Sequence, residues 1–66
     1  MLPSLENNVP EHPLALVVDD EKRIRRLVRI NLEMEGFRVI EAKTGLEALE
    51  QVREQMPDIV ILDVKM

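Results

Sequence analysis

The sequence predicts an α/β fold: three short parallel strands alternating with two helices, wound into one doubly wound sheet of order 2-1-3. Three observations carry this prediction. Residues 14–18 and 59–62 are continuous apolar runs rich in β-branched residues, too short for helices and without the polar alternation of a half-exposed strand. Two stretches with apolar residues at helical spacing lie between the strand-like runs. Strands joined through helices run parallel, because a parallel pair needs a long crossover connection.

Residues 1–13, MLPSLENNVPEHP, read as a flexible lead-in: three of the four prolines lie here and neither period 2 nor period 3.6 is visible. His12 sits in this tail with no second histidine in the chain, so it reads as solvated rather than as a ligand. The first strand, Leu14–Val18, ends in Asp19-Asp20. Residues 21–35 then place Ile24, Leu27, Val28 and Leu32 on one stripe and Arg23, Arg25, Arg26, Arg29 and Glu33 on much of the rest, an amphipathic helix of about four turns. Gly36 follows as a helix-ending glycine. Residues 37–41, FRVIE, form a second strand whose Arg38 and Glu41 suit a sheet edge. Thr44 and Glu47 stand at capping-box spacing before Ala48, Leu49, Val52 and Met56, the stripe of a second helix, and Pro57 stops it. A third buried strand, residues 59–63, ends in Asp63. With the edge-like second strand outside and the first in the middle, right-handed crossovers put the two helices on opposite faces and the switch point between the first and third strands.

Composition narrows the chemistry. The chain has 66 residues, enough for one small unit and too few for a second domain. Ordering each residue costs roughly 1.5 kcal/mol, so a unit this small needs ideal packing, a partner or more chain. It has no cysteine, which excludes disulfides, thiolate metal sites and cysteine nucleophiles, and its single histidine excludes a multi-histidine centre. Thirteen acids against nine bases give a net charge of −4, against general nucleic-acid binding. The longest clean apolar run has five residues, Leu14 to Val18, far short of the roughly 20 that a membrane span needs.

The first and third strands are both fully apolar and both end in aspartate. In a parallel sheet those ends share one edge, and neighbouring strands lie about 4.8 Å apart. Asp19, Asp20 and Asp63 are therefore expected to meet at the switch point. Two carboxylates about 4 Å apart repel by about 4 kcal/mol at an effective dielectric near 20, a cost that stability alone does not explain. A divalent cation removes it, and an all-oxygen donor set suits Mg²⁺. A carboxylate beside such a cation can attack phosphorus. Asp63, with no acidic neighbour, is the best nucleophile, and Asp19 and Asp20 the better metal holders. Simpler roles stay open: Asp20 as the N-cap of the first helix, Asp63 as a strand-ending turn residue. Lys22, Arg23, Arg25, Arg26 and Arg29 resemble a phosphate patch, but a solvated helix face is the plainer explanation. Met34 and Met56 read as core filler.

At these residues the chain resembles the response regulator receiver domain of two-component signalling. LALVVDDEKRIRRLVRINLEMEGFRVIEAKTGLEALE and PDIVILDVKM carry the resemblance over residues 14–66. It implies a flavodoxin-like fold, Mg²⁺, a sensor histidine kinase as phosphoryl donor and a cytoplasmic location, which the lack of an export signal also favours. By position, Asp63 is the implied phosphoacceptor, Asp20 a direct Mg²⁺ ligand, Asp19 a ligand through water, and the backbone carbonyl of Lys65 a further metal oxygen. The family has five strands, and its fourth-strand Ser or Thr, fifth-strand Lys and aromatic switch residue find no match here. The expectation is thus the amino-terminal half of a receiver, poorly phosphorylated by itself, with its third strand (residues 59–63) open for a homo-oligomer. Two other readings are a small Mg²⁺-dependent phosphotransferase and a structural self-association module without chemistry. The first is weakened by the absence of a G-x-x-x-x-G-K-[ST] loop and by a first strand ending D-D-E rather than D-x-D.

Overall fold

Leu14–Val18 forms strand β1, buried along its whole length, in the computed structural model, which describes residues 11–62. Helix α1 (Lys22–Met34), strand β2 (Arg38–Ala42), helix α2 (Gly45–Gln55) and strand β3 (Ile59–Leu62) follow in that order. The sheet has the order β2-β1-β3 and both pairings are parallel, as the alternation of strands and helices predicts. This is the partial doubly wound, flavodoxin-like arrangement. Residues 1–10 of the expected lead-in lie outside the described residues.

The register fixes which side chains share a face. Leu14, Leu16 and Val18 stand opposite Arg38, Ile40 and Ala42, while Ala15 and Val17 stand opposite Val39 and Glu41. On the other side, Leu16 and Val18 pair with Val60 and Leu62, and Ala15 and Val17 with Ile59 and Ile61. Since side chains alternate across a strand, the sheet has two distinct faces. Ala48 of α2 packs with Leu16, Val18 and Ala42, with Ile40 against the cluster. The opposite face, carrying Glu41, receives α1 through Arg25 and Arg29: Arg25 Nε donates to Glu41 Oε1 at 2.7 Å and Arg29 Nη1 donates to Glu41 Oε2 at 2.8 Å. One helix therefore covers each face.

Local chemistry explains the helix ends. At the end of α1, Phe37 N–H donates to the Leu32 carbonyl and Gly36 N–H to the Glu33 carbonyl. This paired return requires a left-handed residue, and Gly36 supplies it at φ +96°. Thr44 caps α2, its Oγ1 accepting from Glu47 N–H at 3.1 Å. The Glu47 carboxylate reaches back to Lys43 N–H at 2.7 Å, one residue ahead of the capping threonine. Met56 ends the helix in the left-handed region at φ 49° just before Pro57. At the amino-terminal edge of the sheet, Asp58 binds β1 twice: its Oδ2 accepts from Leu14 N–H and its N–H donates to the Leu14 carbonyl, both at 2.8 Å. Arg38 fastens the residues before β1, donating from its backbone N–H to Pro13 and from Nε to the carbonyl of His12.

Several expectations need correction, among them Met34 and Met56, which are exposed rather than core filler. β3 is not buried: Ile59, Val60 and Leu62 are exposed, because neither helix packs on it and β1 is its one neighbouring strand among the described elements. Asp20 is not the N-cap of α1; that position belongs to Glu21, whose side chain makes no capping bond. The basic run is not wholly a solvated face, since the Arg25 side chain is only 11% exposed. The second strand also begins one residue later than expected, at Arg38. Among the described residues, no helix is long and apolar enough to cross a membrane.

Two outcomes follow from this packing. Leu16 is fully buried between the sheet faces, so Leu16→Ala should cost about 2–5 kcal/mol, read from urea midpoints by far-ultraviolet circular dichroism. Hydrogen bonds from Arg29 and Arg25 hold the Glu41 carboxyl below its ordinary value of 4.5. A carboxyl held low in the folded state contributes stability above that ordinary value and loses it as pH falls through the lowered one. Glu41→Gln should therefore lower stability by about 1 kcal/mol at pH 7 and by much less at pH 3. An equal loss at both pH values would show that the charge is idle.

Candidate functional site

The carboxyl ends of β1 and β3 lie side by side, since Val18 pairs with Leu62. Asp19 follows Val18 directly, and Asp63 follows Leu62 in the sequence. Of the expected site residues, Asp63 and Lys65 lie outside the described residues. Asp19 and Asp20 occupy the turn from β1 into α1, where Asp19 is 6% exposed and Asp20 is exposed.

Asp19 is held at each of its polar groups. Its N–H donates to the Ala42 carbonyl of β2 at 3.1 Å. Its carbonyl accepts from Arg25 Nη1 at 2.9 Å. Its Oδ1 accepts from Glu21 N–H at 2.8 Å, closing a short turn in which an aspartate bonds the backbone two residues on. The buried acid thus has a fixed orientation at the strand end. Beside it runs a groove of about 180 Å³ between Ile24 and Val28 of α1 and Ile61 and Leu62 of β3, floored by Val17 and Val18. Apolar walls next to a carboxylate lower the local dielectric and strengthen its attraction for a cation.

The donors present fit a hard cation in kind: two adjacent carboxylates, oxygen only, one buried and one open to solvent. In number they do not suffice alone, for among the described residues no three histidine or acidic side chains gather as a metal group. Asp63 is the third donor that the sequence expects, and it lies beyond them.

Sequence reasoning missed the arginine that binds this turn. Arg25 links the Asp19 carbonyl to Glu41 on β2, and Arg29 extends the chain of charges from Glu41 to Glu33, to which its Nε donates at 3.0 Å. The available signal was a pair of arginines four residues apart on the helix after the first strand, with a glutamate in the second strand at a position sharing the parity of Val39. Asp58 was missed too. Its carboxylate spans from the start of β3 to the first N–H of β1.

Residues 15–66 match the family model of the response regulator receiver domain. The transcriptional regulatory protein KdpE of Mycobacterium tuberculosis is 53% identical over 51 residues, 77% of this chain and 23% of that protein. The alkaline phosphatase synthesis transcriptional regulatory protein PhoP of Bacillus subtilis is 49% identical over 49 residues, covering 74% of this chain and 20% of its own. The transcriptional regulatory protein ResD of the same organism is 49% identical over 51 residues, with 77% and 21% covered. The chain thus spans about a fifth of the length of the curated relatives it matches. With a strand order, a switch-point acid turn and a family match over most of its length in agreement, the chain belongs to the response regulator receiver domains.

Proposed function

We propose that this chain is the phosphoacceptor portion of a two-component receiver, with Asp63 as the acceptor and Mg²⁺ as the cofactor, working in the cytoplasm with a sensor histidine kinase as donor. The carrying observation is the pairing of Val18 with Leu62, because each of these residues is followed by an aspartate. In the proposed step a carboxylate oxygen of Asp63 attacks the phosphorus of a phosphohistidine. The new P–O bond forms as the P–N bond breaks, and the imidazole nitrogen leaves with the electron pair and takes up a proton. Asp19, Asp20, Asp63 and the Lys65 carbonyl would hold the cation, which would supply positive charge to the transferring oxygens when bound. Asp19, fixed at its N–H, carbonyl and carboxylate, orients its own oxygens for that role without reorganisation.

A second property has its own support. β3 carries no charge and exposes Ile59, Val60 and Leu62, the last at 61%. An apolar strand with an open edge recruits another strand. A second copy of this chain fits, since a two-fold axis would set β3 antiparallel to its own copy with no like charges opposed, giving the order 2-1-3-3′-1′-2′.

Two measurements test these readings. Incubation with acetyl phosphate and Mg²⁺ should add one phosphoryl group to part of the chain by intact mass. Asp63→Asn or removal of the metal should abolish it; an unchanged gain in Asp63→Asn would move the acceptor elsewhere. In sedimentation at about 100 µM the chain should run as a dimer and Leu62→Lys as a monomer, a lysine being poorly tolerated at a paired edge. A folded wild-type monomer at that concentration would overturn the β3 interface.

A further inference from the structure

Arg25 stands in an unusual place for a site built to hold a cation. Its guanidinium lies one hydrogen bond from the main chain of Asp19 and is largely buried, with 11% of the side chain exposed. An uncompensated positive charge there would compete with a divalent cation for the same acids, because like charges in a partly buried site are weakly screened. The charge is compensated. Glu41 takes Arg25 Nε on one oxygen and Arg29 Nη1 on the other. Glu33 takes the remaining bond of Arg29, so the row reads Arg25, Glu41, Arg29, Glu33, with signs alternating away from the acid turn.

We infer that the Arg25–Glu41 pair is the positioning device of the cation site: Arg25 fixes the Asp19 backbone, and Glu41 cancels the charge that Arg25 brings with it. This rests on the metal reading given under Proposed function. Arg25 alone would hold the turn and repel the cation. A neutral side chain at 25 would spare the repulsion and lose the forked donor that reaches two acceptors at once. The pair supplies the fork without the field. Asp19 then keeps its Oδ1 on Glu21 N–H whether or not a cation is bound, so little backbone ordering is left for the metal to drive.

The test is a titration of the ¹⁵N-labelled 66-residue chain with MgCl₂, following the amide signals of residues 19–21; with no Trp or Tyr in the chain, fluorescence is uninformative. The wild type should show saturable shifts at these amides. Glu41→Gln, which leaves Arg25 uncompensated while Arg29 keeps Glu33, should raise the Mg²⁺ midpoint about five- to tenfold, with the difference shrinking at high salt. Arg25→Gln, which frees the Asp19 carbonyl, should disperse the Glu21 amide signal before any metal is added. Asp58→Asn serves as the control for stability: it weakens the opposite edge of the sheet and should leave the midpoint of the folded population unchanged. A wild-type midpoint in Glu41→Gln, or an equal rise in Asp58→Asn, would overturn the inference while the metal site stands. Absence of saturable shifts in the wild type would overturn the metal site, and the inference with it.

Discussion

Every other element of this fold contacts β1. The strand is hydrogen-bonded on both edges and covered on much of both faces, and its five residues are the most continuous buried segment. Among the described residues, β3 contacts β1 and no other element, and the two helices do not contact each other. Such a sheet gains its cooperativity from one strand. Removing apolar volume there removes support from both layers at once, whereas the same change on β3 removes much less, because its side chains are already in contact with water. The physical constraint is simple: in a three-stranded parallel sheet only the middle strand can have two partners and two covers.

That constraint also places the site. The residue that follows the hub strand inherits its rigidity, and here that residue is Asp19, whose N–H still pairs with Ala42 of β2 although the strand has ended. The carboxylate is thereby presented from a fixed backbone rather than from a mobile loop. Arg25 and Glu41 extend the same rigidity sideways, tying the first turns of α1 to the end of β2. Burial, backbone pairing and charge pairing converge on one turn, and that convergence separates Asp19 from the chain's other acids.

Much of this was legible in the sequence, and the reasons are local. Leu14–Val18 has no helical alternative of that length, Gly36 and Pro57 stop their helices by their own backbone chemistry, and Thr44 with Glu47 carries its cap within four residues. The strand order followed from placing the edge strand, marked by Arg38 and Glu41, outside the first, and handedness then put the helices on opposite faces. What escaped was not local. Burial of β3 depends on what lies over it, and an apolar composition cannot supply a cover. Arg25 looked solvated because helix periodicity says nothing about a glutamate sixteen residues on; only the register of β2 puts Glu41 on the face that α1 crosses. Asp20 stood open as the N-cap of α1 because it has the better capping side chain, but the cap falls at Glu21, whose N–H donates to the Asp19 carboxylate. Asp63 and Lys65 remain expectations of sequence and resemblance.

Two aspartates mark the two ends of the sheet, and comparing them shows which charge the fold needs. Asp58, at the amino-terminal edge, spans between strands: its carboxylate takes the first N–H of β1 while its own N–H returns to the carbonyl of the same residue. A charged acceptor is useful there, since a bond to a charged group contributes about 1.5–3 kcal/mol where a neutral one gives about 1. Asp19, at the carboxyl-terminal edge, makes its side-chain bond to the N–H two residues on. Asparagine, serine or threonine can close the same turn with no charge to bury. Yet position 19 carries an acid at 6% exposure, and position 20 carries another. Burying a carboxylate that backbone geometry does not require works against stability. Its place at the switch point of a parallel sheet, beside an arginine whose charge is separately neutralised, is what the proposed cation role would account for.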